Sequence, residues 1–70
     1  MYGKRIRELR LEKGMTQAQL AEMLRTTQKN ISKYETEYLD LSTAMIVELC
    51  KIFEVSADYL LGIEELFSKI

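Results

Sequence analysis

Seventy residues with 10 Lys and Arg against 11 Asp and Glu, one cysteine, no histidine and no proline make one small domain of net charge −1. A chain this short buries a limited share of its surface. With no second thiol for a disulfide and no histidine for a metal site, its stability must come from helix packing, helped by any self-association.

The net charge hides an uneven distribution. From Met1 to Lys33, eight basic residues face three acidic ones, a balance of +5; from Tyr34 to Ile70, two basic residues face eight acidic ones, a balance of −6. A chain polarised in this way can turn a basic face to phosphates while remaining acidic as a whole, although an ordinary solvated surface explains the split equally well on charge alone. Cys50 reads as a small buried hydrophobe in a reducing compartment. Met1–Arg10 is charged and lacks the apolar region of a signal peptide. No apolar run approaches the length of a membrane span, and a lone free cysteine fits a reducing cytoplasm.

The first helix is expected over about Tyr2 to Lys13, with Ile6 and Leu9 on one face and Gly14 as its stop. Thr16-Gln17-Ala18-Gln19 is a capping box that opens a second helix over Gln17–Leu24. Leu20 and Leu24 point to the core, and Ala21 is small where a neighbouring helix must come close. Arg25-Thr26-Thr27 interrupts the pattern, and Thr27 caps a third helix over Gln28–Glu35. Its only apolar positions are Ile31 and Tyr34, too few for a helix made solely to pack. Thr36 to Leu41 reads as a loop. Ser42 caps a fourth helix to about Phe53, with Ile46, Leu49, Cys50 and Phe53 on one face. Ser56 caps a fifth helix, Ala57 to Leu61, which Gly62 ends. The tail 63–70 carries Ile63, Leu66, Phe67 and Ile70 at helical spacing. It reads as a short sixth helix, which either folds back on its own domain or meets a symmetry mate.

Two short helices joined by a three-residue turn form a helix-turn-helix. Its second helix is of a size to enter the major groove of DNA, with the first bracing it. The candidate DNA contacts are Gln17, Thr26, Thr27, Gln28, Lys29, Asn30, Ser32 and Lys33. Glutamine pairs with adenine and lysine donates to guanine; Gln17 and the free amides beside it suit a phosphate. For each of these the plain alternative is a solvated helix face or a cap. Nothing in the chain provides an enzyme's constellation: no histidine, no nucleophile paired with a base, no phosphate-binding glycine loop and no metal cluster.

The sequence resembles the phage-repressor and Cro-type family of helix-turn-helix regulators over Lys4 to Gly62. The resemblance rests on Ile6-Arg7-Glu8-Leu9-Arg10, Gly14-Met15-Thr16-Gln17-Ala18-Gln19-Leu20-Ala21, Ile31-Ser32-Lys33-Tyr34-Glu35 and Val55-Ser56-Ala57-Asp58-Tyr59-Leu60-Leu61-Gly62. It implies an all-α, compact five-helix bundle over residues 1–62 that binds double-stranded operator DNA as a homodimer, with no cofactor. It also implies a pair between Arg10 and Glu35. Arg25 and Thr36 stand where the family usually has glycine, and the loop after the third helix lacks the basic residues many relatives place there. Tyr34 and Tyr59 are expected as core aromatics. The competing functions are an antitoxin that meets a protein partner through its acidic half, and a protein-interaction module with little DNA affinity.

Overall fold

The computed structural model describes residues 1–64. Five helices follow one another: α1 Tyr2–Glu12, α2 Gln17–Met23, α3 Gln28–Glu35, α4 Thr43–Phe53 and α5 Ala57–Leu61. Among the described residues there is no strand. The all-α fold expected from the sequence is therefore present. The stripe positions Leu66, Phe67 and Ile70 of the expected sixth helix lie outside the described residues.

Four of the five helices start where a hydroxyl can satisfy an orphan amide. Thr16, Thr27, Ser42 and Ser56 each adopt extended backbone and accept from the amide three residues on, Gln19, Asn30, Met45 and Tyr59 respectively. At Thr16 the box is complete, since the Thr16 amide donates to Gln19 Oε1 at 2.8 Å. The first helix lacks a cap of its own and borrows one: the amide of Gly3 donates to Glu37 Oε2 at 3.2 Å, from a loop 34 residues away.

The helix ends share one device. After α1, α2 and α3 the chain turns through a left-handed residue, Gly14, Arg25 and Glu37, with φ of 67°, 56° and 60°. Each is followed by an amide that reaches back over the last turn: Met15 to Arg10 O, Thr26 to Ala21 O, and Tyr38 to Lys33 O. These are Schellman ends, where glycine is the residue without steric penalty. Only the first has it. A fourth left-handed residue, Glu54 at φ 57°, ends α4.

Ile6 and Leu9 of α1, Leu20 and Ala21 of α2, Ile31 and Tyr34 of α3, Leu49 and Phe53 of α4 and Leu60 of α5 form the core. Met15, Leu24, Met45, Ile46 and Cys50 pack around it, partly buried. The scant apolar surface of α3 is thus spent entirely inward. Helix α3 lies against both α1 and α2, and α5 joins α1 to α4.

Candidate nucleic-acid interface

The brace behind α3 is ionic. Arg10 lies at the inner face of α1, and its guanidinium grips Glu35, at the end of α3, with two bonds: Nε to Oε2 at 2.6 Å and Nη2 to Oε1 at 3.1 Å. Its third nitrogen donates to the Met15 carbonyl at 2.8 Å. Both side chains are almost fully buried, at 9% and 5% exposure. The planar fork of arginine suits a carboxylate in two-point contact, and the remaining donor is satisfied by backbone, so neither charge is stranded. Gln17 joins the same network, its Nε2 donating to Glu35 Oε1 at 3.1 Å. The buried Arg10–Glu35 pair therefore ties α1, the turn before α2, the start of α2 and the end of α3.

The eight candidate residues fall into three settings. Gln28, Lys29, Ser32 and Lys33 occupy adjacent rows of one face of α3, the face opposite Ile31 and Tyr34. Gln28 and Lys29 are exposed, and Ser32 and Lys33 half-buried. Lys29 has no ion pair among the described residues, and the Lys33 ammonium lies 5.8 Å from the centre of the exposed Tyr38 ring. At the entrance to the helix, Thr27 is exposed and caps it, while Thr26 and Asn30 are half-buried and bonded to each other, Asn30 Nδ2 to Thr26 Oγ1 at 2.9 Å. Gln17 stands apart at the start of α2, with its amide nitrogen on Glu35. The amides of Gln28 and Lys29 precede the first intrahelical bond of α3 and add their partial positive charge to this edge.

A family model described as a helix-turn-helix domain matches residues 3–65. The chain belongs to the helix-turn-helix family. Among its relatives is the HTH-type transcriptional regulator ImmR of Bacillus subtilis, 42% identical over 67 residues, which are 96% of this chain and 53% of ImmR. An SPbeta prophage-derived regulator from the same organism, YonR, is 33% identical over 61 residues, 87% of this chain and 56% of its own. The chain spans about half the length of these curated relatives. Its fold is similar to that of the P22 c2 repressor, solved in complex with a synthetic operator, with a TM-score of 0.80 and 30% identity over 86% of this chain and 91% of that one.

Within this helix-turn-helix domain, the expected Arg10–Glu35 pair and the left-handed turn at Arg25 are both present. Two expectations need correction. Thr36 does not occupy the glycine conformation; it is right-handed at φ −92°, and the left-handed residue is Glu37 beyond it. The Thr36 hydroxyl instead donates to the Ser32 carbonyl, closing the helix end. Tyr59 is not a core aromatic. It is 42% exposed and lies under the Arg5 guanidinium, 4.0 Å from the ring centre, with Arg5 also donating to the Tyr59 carbonyl and to Glu64. A ring with a cation above it is stabilised at the surface, so it has no need of the interior. Cys50 is half-buried, and burial raises its thiol pKa.

Gly3 was not legible as a structural requirement. It is buried where α1 meets the end of α3, and a Cβ there would overlap the Glu35 carbonyl oxygen and lie 2.8 Å from Glu37 Cγ. The exposed loop acids face α1: Glu37 caps it, and Asp40 sits 3.5 Å from the Tyr2 hydroxyl, which also donates to the Leu39 carbonyl. Among the described residues there is no metal-ligand cluster, and no helix is long and apolar enough to cross a membrane.

Proposed function

We propose that this domain binds operator DNA sequence-specifically and regulates transcription, as a repressor, with two copies on one site in the cytoplasm. The observation that carries this is the division of α3: its few apolar residues are buried, its polar face is left outward, and a buried ion pair holds the helix in place. Gln28 and Lys29 at the open end of that face suit base edges, adenine for the carboxamide and guanine for the ammonium. Gln17, Thr26, Thr27, Ser32 and Lys33 suit phosphates or neighbouring bases. Two such helices must stand about one DNA turn apart, ~34 Å, which is the reason for a dimer. The acidic loop gives little support to a protein-binding role, because Glu37 and Asp40 are both engaged with α1.

Selection of bound duplexes from a random DNA pool tests the proposal, followed by binding of the enriched site over a range of salt. The expected results are a site with two related half-sites and an affinity that falls steeply with salt. Lys29→Ala and Lys33→Ala then separate roles. A base contact costs about 1–3 kcal/mol on the preferred site and relaxes specificity there, while a phosphate contact weakens all sequences alike and flattens the salt slope. No enrichment, or a double variant that matches the parent in affinity and preference, refutes the recognition surface.

A further inference from the structure

The side chain of Asn30 lies at the edge of the recognition surface, yet its amide is committed inside the protein. Its Nδ2 donates to Thr26 Oγ1 at 2.9 Å, across one turn, while its backbone amide donates to Thr27 Oγ1 at 3.2 Å. The hydroxyls before and at the start of α3 are therefore both acceptors from one residue.

A threonine hydroxyl has a single proton and two lone pairs. Once a lone pair of Thr26 takes the Asn30 amide, the Thr26 proton must point elsewhere. Among the described residues no hydrogen bond gives it an acceptor. The half-buried position of Thr26 also restricts where that acceptor can lie, since its backbone amide is fixed to the Ala21 carbonyl at 2.9 Å. A phosphate oxygen is an acceptor only. It fits an oriented hydroxyl donor and gives nothing back to compete for the Asn30 amide.

We infer that Asn30 is a positioning residue: it holds the Thr26 hydroxyl as a donor to a phosphate of the operator backbone, and does not itself read a base. The inference rests on the DNA-binding reading above. It separates the residues of the surface by role. Gln28 and Lys29 have exposed side chains without a partner among the described residues, whereas Asn30 acts through Thr26.

The test is a double-mutant cycle on the full chain, with the enriched duplex and a scrambled duplex of equal length, below the melting temperature of every variant. Thr26→Val removes the hydroxyl at nearly constant volume. It should weaken binding by about ten- to a hundredfold, the usual range for losing a hydrogen bond to a charged group. The loss should be equal on both duplexes. The salt slope should be unchanged, because a neutral hydroxyl displaces no counterion. Thr26→Ser, which keeps the hydroxyl, should restore most of the affinity. Asn30→Ala should weaken binding by about threefold, since a hydroxyl released from its partner spreads over three staggered positions. In the Thr26→Val background Asn30→Ala should have no further effect. Should Asn30→Ala not fold, Asn30→Ser carries the same arm.

An Asn30→Ala loss that persists undiminished in the Thr26→Val background overturns the inference, as does a loss confined to the enriched duplex, which marks a base reader. No loss from Thr26→Val also overturns it. A parent chain that binds neither duplex removes the DNA-binding reading itself, and the inference with it; a parent that binds while the cycle fails removes the inference alone.

Discussion

Replacing Gly3 with alanine adds one methyl group where α1 closely approaches the end of α3. On an open helix surface this change stabilises by up to about 1 kcal/mol, because alanine is the better helix former. Here the added carbon would overlap the Glu35 carbonyl oxygen and stand 2.9 Å from its carbonyl carbon. Those are backbone atoms at the end of α3, fixed by the buried Arg10–Glu35 pair, and they cannot turn aside as a side chain can. The N-terminal end of α1 must move instead. Overpacking of this kind costs about 1–3 kcal/mol. The shift also lengthens the Gly3–Glu37 bond, worth about 1 kcal/mol. After the gain in helix propensity, Gly3→Ala should destabilise the chain by about 1–3 kcal/mol. For a domain of this size the melting temperature should fall by about 5–20 °C, read by circular dichroism. Trimming the loop with Glu37→Ala should not rescue it, because the nearest obstacle is backbone. An alanine variant that melts at or above the parent's temperature would refute the close contact.

Other substitutions probe the strained ends and the buried charges. Arg25→Gly and Glu54→Gly each keep the left-handed conformation but remove the penalty of about 1–2 kcal/mol that a side chain incurs there, offset by the greater freedom of glycine in the unfolded chain. Each should leave stability unchanged or raise it by up to about 1 kcal/mol; marked destabilisation in urea melts would show that the side chain holds the turn. Arg10→Met leaves Glu35 buried without its cation, at a cost of about 3–5 kcal/mol, while Arg10→Met with Glu35→Leu should recover much of that loss. A single variant as stable as the double would mean that Glu35 reaches water or another partner. The Tyr2 hydroxyl has its pKa raised above 10.0 by burial, and further by the charges of Asp40 and Glu37 and the bond to Asp40. Its contribution is complete below the unfolded value and is lost as the pH rises from there through the raised folded value. The stability difference between the parent and Tyr2→Phe should therefore be constant up to about pH 10 and change only above it. A difference that varies between pH 6 and 9 would contradict the assignment.

Local chemistry alone specified most of the helical frame. Thr16, Thr27, Ser42 and Ser56 mark helix starts because each hydroxyl satisfies an amide three residues away, an interaction complete within four residues of chain. The periodicity of Ile6 and Leu9, or of Leu49 and Phe53, identifies the inner face without any knowledge of what packs there. The polar face of α3 was legible as well, since a helix with two apolar residues has little else to bury. Tertiary structure decided what depends on residues far apart in the chain. Gly3 is required by the end of α3, Glu37 caps a helix 34 residues before it, and Tyr59 stays at the surface because Arg5 covers it. The left-handed residue at Glu37 rather than Thr36 follows from where α3 ends, one position later than the expected glycine site. Caps and periodicity repeat within a turn or two of helix, so sequence carries them openly. A borrowed cap, a close backbone approach and a stacked cation exist only once the helices have met.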